Sequence, residues 1–360
     1  MVRILLTSIL CKSGLLTHVL DLAKTLAQKG VEVAIAFGTT RTLEDENYKG
    51  WLERLNGLPV FRYTTTGDLH RLCSVFRPQI IHAHSPNCFH SSVTVATRGA
   101  IPLIITLHST LPVNRWYPLT LMISRWIIAV GPAQAGVVPD YARKTVIIPN
   151  GIDLERFRPK FQSPEGVLKL CWFGRVHGTM AEGVASLNQG LQLVRANGAK
   201  LEAYFIGSAP GLSKDQFAQI GWLDDPVSLL QKTQVTFGHG RALREAMACG
   251  NVGFLLGAGY GGQVTRELLE KLRHLDAFPE YRLPKADPKL LAAEILHLVR
   301  HPASISRLSQ EARQLALDHF DVDAMANATL ELYERALVSS PASPQPLRGG
   351  GRKQGIHWET

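Results

Sequence analysis

The sequence predicts an α/β protein with two doubly wound parallel-sheet domains that face each other across a cleft. Apolar runs of strand length, such as RILLTSIL and VEVAIAF, alternate along the chain with helical patterns such as LLTHVLDLAKTLAQKG. This alternation is typical of a parallel sheet whose two faces are covered by helices. The chain has 360 residues, which is enough for two domains of ordinary size.

A segment rich in proline and glycine divides the chain. PNGIDLERFRPKFQSPEG, residues 149–166, has the composition of a domain linker, and the alternation of strands and helices restarts after it. We therefore expect an N-terminal domain over residues 1–155 and a C-terminal domain over residues 156–320. A last amphipathic helix is expected over 321–338. The tail, 339–360, is rich in Pro, Ser and Gly and is expected to be disordered.

The positive charge is concentrated in the first half of the chain. The net charge is +9, and residues 1–150 hold 15 Lys and Arg against 8 Asp and Glu, whereas residues 151–338 hold 21 of each. This excess favours an anionic partner, such as a phosphorylated substrate or an acidic lipid surface, although it could also be ordinary solubilising charge. The basic residues are not interleaved with aromatic ones as in nucleic-acid-binding modules.

The chain has none of the usual signs of a membrane-spanning or secreted protein. No apolar run reaches the ~18–20 residues that span a bilayer, and the N-terminus resembles a strand and a helix rather than a signal peptide. The five cysteines are scattered, which indicates reduced thiols. We therefore expect a cytoplasmic protein, with peripheral contact to a membrane as a further possibility.

Glycine turns at the ends of predicted strands are the first candidates for a ligand site, because doubly wound sheets bind ligands there. Ser13 and Gly14 lie between a strand and a helix, where backbone N–H groups can hold an anion. A second turn opens GHGRALREAMACG, residues 238–250, and places Arg241 and Glu245 on one face of a helix. This stretch is either a phosphate cradle or a helix entry with an intrahelical ion pair.

Other strand ends carry side chains that suit a cleft. Arg175 follows a strand and a glycine, so its guanidinium either pairs with a phosphate or forms a surface salt bridge. His82, His84 and His108 also lie at strand ends. A metal site is conceivable there, but no carboxylate is near in sequence. These histidines are therefore interpreted as polar side chains that line a cleft or, alternatively, as hydrogen-bonded histidines at strand ends. GAGYGG, residues 257–262, is interpreted as a further ligand-facing glycine loop rather than a dinucleotide site.

An aromatic and basic stretch is the candidate for the acceptor side. NRWYPLTLMISRWII, residues 114–128, includes Arg115 and Trp116 in the basic half of the chain. It is either a membrane-surface element that presents a lipid-linked acceptor or a core helix before a strand.

Taken together, these segments resemble a retaining, nucleotide-sugar-dependent glycosyltransferase of the GT-B fold and of the glycosyltransferase family 4 type. VIIPNGIDLERFRP resembles the hinge motif of that family, and REAMACG resembles its donor-site helix. The resemblance covers about residues 1–338. It implies two Rossmann-like domains, with the final helix crossing back to the N-terminal domain.

The resemblance also implies roles for individual residues. Gly14 would approach the donor diphosphate, His108 would lie near the donor sugar, and Arg175 would neutralise the leaving diphosphate. Glu245 would hydrogen-bond the ribose, and no metal or other cofactor is expected. The expected catalytic residues are His108, Arg175 and Arg241. The expected donor-site residues are Ser13, Gly14, Asn150, Gly174, Arg175, Gly238, His239, Gly240, Arg241 and Glu245. The acceptor-side candidates are His84, Arg115 and Trp116.

The sequence departs from the family pattern at two positions. Phe237 stands where the family has its first donor-site glutamate, and the usual lysine after Arg175 is missing. Arg241 could replace the missing cation. The departures keep open a second hypothesis, a catalytically weakened GT-B protein that binds a nucleotide sugar or a partner enzyme without efficient transfer. A third, minor one is a GT-B epimerase or phosphorylase.

Overall fold

The computed structural model describes residues 2–39, 43, 45–55, 57–160, 167–176 and 178–338. The predicted disordered tail, 339–360, lies outside the described residues. The strands, in chain order, are β1 Arg3–Ser8, β2 Glu32–Gly38, β3 Val60–Tyr63, β4 Ile80–Ala83, β5 Leu103–Leu107, β6 Trp126–Ala129, β7 Thr145–Ile147, β8 Leu168–Phe173, β9 Leu201–Ile206, β10 Ala218–Gly221, β11 Val235–Gly238, β12 Val252–Leu256 and β13 Tyr260–Gln263.

Helices connect these strands and cover both sheets. They are α1 Gly14–Gln28, α2 Glu46–Glu53, α3 Thr66–Phe76, α4 Pro86–Arg98, α5 Val113–Trp116, α6 Pro118–Ile123, α7 Pro132–Gly136, α8 Met180–Ala196, α9 Val227–Leu230, α10 Gly240–Ala248, α11 Arg266–Leu272, α12 Pro288–Arg300, α13 Pro302–His319 and α14 Val322–Val338. Short 3-10 turns span Pro139–Lys144 and Pro279–Tyr281.

The first sheet is parallel throughout, in the order β3-β2-β1-β4-β5-β6-β7. The inner strand β1 is buried on both faces, because helices cover each side of the sheet. Ile4 of β1 lies opposite Val33 of β2 and Ile80 of β4. Strands β2 and β3 are added on one side of β1, and β4 is added on its other side, so the strand order switches between β1 and β4. Sheets of this type bind ligands in the crevice at the carboxyl ends of the two strands that flank such a switch point.

The second sheet has the order β10-β9-β8-β11-β12-β13, and it is parallel except for β13, which runs antiparallel to β12. The predicted α/β class is confirmed. The interpretation of GAGYGG as a ligand-facing loop is wrong, because this segment forms the turn and second strand of the β12–β13 hairpin. A Cβ on Gly257 would lie 2.7 Å from the sulfur of Met180 and 2.8 Å from Cβ of Ala277, so glycine here serves packing.

The polypeptide crosses from one domain to the other twice, and the two crossings lie side by side. Ile152 and Asp321 form an isolated parallel bridge, in which Ile152 N–H donates to the carbonyl of Phe320 at 2.6 Å and Val322 N–H donates to that of Ile152 at 3.1 Å. Gly151 is required here, since an added Cβ would lie 2.5 Å from Cα of Val322. Beyond this bridge, α14 packs on α1 and contributes residues such as Tyr333 to the core of the first sheet.

The aromatic and basic stretch forms two short surface helices, α5 and α6. Trp116 and Leu119 are each 54% exposed, and Leu111 and Ile123 are also exposed. Val113 and Leu121 of the same two helices are buried in the core of the first sheet, so the segment has one core-facing side and one exposed side, and both alternatives stay open. Within the described ranges, no helix is both long and apolar enough to cross a membrane.

Candidate active site

The start of α1 and the end of β8 meet across the cleft between the two sheets. Ser13 caps α1, with its Oγ accepting from Leu16 N–H at 3.4 Å, and Gly14 begins the helix. Arg175, just after β8, reaches across to donate from Nη2 to the backbone carbonyl of Lys12 at 2.8 Å. Gly174 makes this turn possible, because its φ of +142° is one that side chains disfavour. An exposed guanidinium of the second domain thus lies at the helix N-terminus of the first.

The turn before α10 is built by close backbone packing. A Cβ on Gly238 would lie 2.8 Å from the carbonyl oxygen of Phe173, and Gly240 has a φ of +60°. The N–H of Gly240 donates to the carbonyl of Leu275, and His239 precedes the helix with its ring edge-on to Phe278. Both glycines are therefore needed to bring the turn against its neighbours, whatever ligand it binds.

Arg241 joins the two domains through three hydrogen bonds, one from each guanidinium nitrogen. Nε donates to Glu245 Oε1 at 2.8 Å, Nη1 donates to the carbonyl of Gly151 at 2.8 Å, and Nη2 donates to Asp21 Oδ2. Asp21 lies on α1, and its other oxygen accepts from Arg54 Nη2 at 3.0 Å. We call these five residues the Arg241 network. The predicted intrahelical pair exists, and it extends into the N-terminal domain.

Burial and charge act in opposite directions inside the Arg241 network. Burial alone would lower the pKa of Arg241, but the carboxylates of Asp21 and Glu245 outweigh it and raise that pKa. Burial raises the pKa of Glu245, against the effect of the Arg241 charge. Arg241 is only 8% exposed and stays charged. Its role as a cation for the donor remains a prediction, because its nitrogens are engaged within the protein here.

Three imidazoles from three elements converge beside this network. His18 lies on α1, His84 follows β4 and His108 follows β5, and one ligand nitrogen from each lies within 4.8 Å of the others. His84 Nδ1 is hydrogen-bonded to His108 Nε2 at 3.4 Å. Among the described residues, neither nitrogen of His18 nor Nε2 of His84 makes a hydrogen bond of normal geometry, although the side chain of Asn150 lies close to His18. We call these three residues the histidine cluster.

Burial keeps the histidine cluster neutral. It lowers the pKa of His18 and His84 well below the ordinary value, with further lowering from the neighbouring histidines. Burial and the Arg241 charge lower the pKa of His108 to about 3. His82 lies against His84 with the rings tilted by 38°, and both of its nitrogens have partners, Nδ1 with Tyr333 Oη and Nε2 with Thr106 Oγ1, both at 2.7 Å.

Arg244 is a buried cation that the sequence interpretation overlooked. Its Nη1 donates to the carbonyl of Asn150 at 3.2 Å, and its guanidinium lies over the ring of Phe320, 5.5 Å from the centroid. The predicted donor-site residue Asn150 is thus held at the domain crossing. Burial lowers the pKa of Arg244, and the charge of Asp276 opposes that effect.

The three acceptor-side candidates are not brought together. His84 is fully buried in the histidine cluster, whereas Arg115 and Trp116 are exposed on α5. Phe237, at the position of the missing glutamate, is fully buried in β11 and stacks on Phe254 with ring centroids 4.8 Å apart. That position therefore serves the core of the second domain.

His18 and Asp21 were also overlooked in the sequence, although a signal was present. Both are titratable residues on the buried, largely apolar side of α1, which carries residues such as Leu22. Polar groups on such a face need partners, so their positions indicated a buried polar site.

Comparisons with known proteins agree with this architecture. Residues 12–156 match the family model described as Glycosyltransferase Family 4. A search of curated proteins gave no match. A glycosyltransferase from Rickettsia africae has a similar structure, with a TM-score of 0.72 at 14% identity, covering 94% of this chain and 99% of that one.

Two further solved structures share the fold. HepE of Anabaena, in complex with UDP, gives a TM-score of 0.69 at 16% identity, covering 93% of this chain and 100% of the other. Sucrose-phosphate synthase of Thermosynechococcus elongatus gives 0.63 at 16% identity, covering 94% and 100%. These likenesses establish the GT-B fold, and residues 12–156 are similar in sequence to Glycosyltransferase Family 4.

Proposed function

We propose that the protein transfers a sugar from a nucleotide-diphosphate donor to an acceptor, with retention of configuration and without a metal ion. The observation that carries this proposal is the position of Arg175. Its guanidinium, exposed on the second domain, contacts the backbone at Lys12, beside the first turn of α1. A helix N-terminus and an arginine together form a site for a diphosphate.

The two groups would stabilise the leaving diphosphate by fixed charge. Gly14 leaves the helix start open, since the nearest atom to an added Cβ is Cδ of Arg241, at 3.8 Å. The N–H groups of that first turn point toward the cleft end of the helix, and Arg175 adds a full positive charge. Negative charge develops on the diphosphate as the glycosidic bond breaks, so preorganised donors here would lower the barrier without a metal.

The remaining donor contacts are proposed around this centre. Oε1 of Glu245 is bonded to Arg241, so its other carboxylate oxygen would accept from the ribose hydroxyls. His108, the least buried member of the histidine cluster, would contact the donor sugar. Backbone groups of the turn Gly238–Gly240 and of Gly174, together with Asn150, would line the nucleotide.

A panel of nucleotide sugars tests the donor site. UDP, GDP and ADP sugars and their free nucleotides are added to EDTA-treated protein, and the melting temperature is measured. UDP sugars come first, because structures of HepE hold UDP and UDP-glucose. A ligand at 100 times its Kd should stabilise the protein by about 2.7 kcal/mol. No shift with any compound would contradict the proposal.

A matched pair of variants locates the site. Arg175→Ala should weaken donor binding roughly 10- to 100-fold, because a hydrogen bond to a charged group contributes about 1.5–3 kcal/mol. Arg195→Ala is the control, since Arg195 is an exposed arginine of the same domain that is bonded to Gln216. Equal affinity in both variants would place the diphosphate elsewhere.

We further propose that α5 and α6 touch an anionic lipid surface that presents the acceptor. Trp116, Leu119 and Ile123 expose apolar side chains beside Arg115, in the basic half of the chain. Sedimentation with vesicles of anionic and of neutral lipid measures this contact. Trp116→Ser should reduce binding to anionic vesicles, whereas Leu290→Ser, at an exposed leucine on α12, should not. Binding that ignores lipid charge would contradict it.

A second candidate function is supported by Phe237. Because the position of the first donor-site glutamate is packed in the core, the protein could bind a nucleotide sugar and transfer it poorly. Donor hydrolysis or transfer, measured by release of the free nucleotide diphosphate from a donor that gives a thermal shift, separates the two functions. Release well above the uncatalysed rate supports the enzyme, and binding without release supports the weakened protein.

A further inference from the structure

The proposed transfer does not explain why three imidazoles converge at the cleft. His108 alone would suffice beside the donor sugar, yet His18 and His84 are directed to the same point from α1 and from the end of β4. His18 is 3% exposed and His84 is fully buried, so water cannot freely satisfy them.

Their nitrogen atoms lack partners in a way that buried polar groups rarely do. Within the part of the chain that the structure describes, neither ring nitrogen of His18 nor Nε2 of His84 makes a hydrogen bond of normal geometry. The side chain of Asn150 lies close to His18, and it opposes the lowering of the His18 pKa. Nearly all buried polar atoms in proteins are paired, and an exception calls for a bound group. One nitrogen from each of the three rings lies within 4.8 Å of the others, and this convergence beside the unsatisfied ring of His18 indicates that something binds between the rings.

We propose that His18, His84 and His108 form a binding site for one divalent transition-metal ion, for which zinc is the best fit. Three imidazoles with an open fourth position are a ligand set that zinc takes in proteins. The set contains no carboxylate, which magnesium, calcium and manganese prefer. The ion site assigned here shares His108 with the proposed contact to the donor sugar, but binding of the ion does not depend on the proposed transfer.

The spacing of the rings suits such an ion. Zinc–nitrogen bonds of about 2.0–2.1 Å in tetrahedral geometry separate the ligand nitrogens by about 3.4 Å. His84 Nδ1 and His108 Nε2 already lie 3.4 Å apart, and the whole set lies within 4.8 Å, so small rotations of the rings close it around an ion. The ring of His82 lies against that of His84 with centroids 4.0 Å apart, and His82 is hydrogen-bonded to Thr106 and Tyr333. It therefore supports the cluster rather than joining it.

His108 is the least buried of the three ligands, so the fourth position should lie on its side, toward the cleft. If the proposed function is also correct, an ion at this site withdraws His108 from the donor sugar, and zinc should inhibit transfer. That consequence rests on the proposed function, whereas binding of the ion does not.

Equilibrium dialysis of the full chain against zinc, followed by metal analysis, tests the site. The reference protein is His301→Ala, because His297 and His301 stand beside each other on an exposed helix end and could bind zinc themselves. We expect one zinc per chain with a Kd in the micromolar range or tighter. Cobalt(II) should bind in its place and give the visible absorption of a four-coordinate ion.

Variants of the ligands decide the outcome. His18→Ala, His84→Ala and His108→Ala, each in the reference background, should lose at least tenfold in zinc affinity, whereas His90→Ala, at an exposed histidine on α4, should lose none. His108→Gln repeats the test at the least buried position if an alanine variant fails to fold. Stoichiometry near zero, or equal affinity in all these variants, would overturn the proposal and leave the cluster to ordered water or sugar hydroxyls. A donor-induced thermal shift in the same zinc-free protein reports on the proposed function independently.

Discussion

Two buried polar clusters share helix α1, and they differ in one respect. The Arg241 network, which reaches α1 at Asp21, gives each guanidinium nitrogen an acceptor. The histidine cluster, which reaches α1 at His18 one turn earlier, leaves three ring nitrogens without a partner among the described residues. The satisfied cluster links the two domains, and the unsatisfied one lies where a ligand can complete it. Buried polar groups thus serve either structure or binding, and the pairing of their atoms distinguishes the two.

The largest expected effect comes from breaking the satisfied cluster. Asp21→Asn removes a buried carboxylate that accepts from both Arg54 and Arg241. Removing one partner of a buried ion pair costs about 3–5 kcal/mol, because the other charge is left uncompensated. Thermal unfolding should show a lower melting temperature by several degrees. A change of less than one degree would mean that the network does not hold the domains together.

A smaller loss should follow when the charge of Arg241 is kept and its shape is changed. Arg241→Lys retains the cation, but one ammonium group cannot reproduce three bonds in three directions. We expect a loss of about 1.5–3 kcal/mol in stability. Donor binding by this variant and by Arg241→Ala, measured below their melting temperatures, tests the further role of Arg241 as a donor cation. Wild-type affinity in Arg241→Ala would remove that role.

Removing a member of the histidine cluster should not lower the stability of the protein. In zinc-free buffer, His18→Leu removes two unpaired buried nitrogens and fills similar space with apolar atoms. An unsatisfied buried polar atom costs about 1–3 kcal/mol, so the variant should be as stable as the wild type or more stable. Its melting temperature is compared with that of Leu22→Ala, which removes apolar atoms from the same helix and should destabilise. A strong destabilisation by His18→Leu would show that His18 has partners.

The smallest effect is expected at a surface contact between the domains. Lys12 and Asp224 form an ion pair at 2.8 Å, but the two side chains are 27% and 49% exposed. Exposed pairs contribute about 0–1 kcal/mol and weaken with salt. Asp224→Asn should therefore change the melting temperature by no more than about two or three degrees. An effect as large as that of Asp21→Asn would make this contact part of the domain linkage.

The fold was predictable because the relevant pattern is local. Alternating apolar runs and helical periodicity depend on neighbouring residues, so the α/β class and most elements could be predicted from the sequence. GAGYGG was misinterpreted because its glycines fit a turn before a helix as well as a hairpin. The hairpin is set by the packing of Gly257 against Met180 and Ala277, which lie far away in sequence.

The site was only partly predictable, for a physical reason. Gly14, Arg175 and the turn before Arg241 lie at strand ends, where the topology of the sheet brings them to one cleft. The partners of Arg241 could not be predicted, since Asp21 is 220 residues away and carries no motif. Arg241 and Asp21 come into contact only because the two domains pack against each other. The functional roles of these residues remain predictions.

The bridge between Ile152 and Asp321 has a mechanical consequence. Because both chain crossings are hydrogen-bonded to each other there, the two domains share a single pivot, and any relative rotation moves nearby atoms little and distant atoms far. The amide protons of Ile152 and Val322 should therefore exchange slowly with solvent in every state of the protein. Rotation of the domains about this bridge should break the hydrogen bond between Arg175 and the backbone of Lys12, which joins the two domains at the proposed diphosphate site.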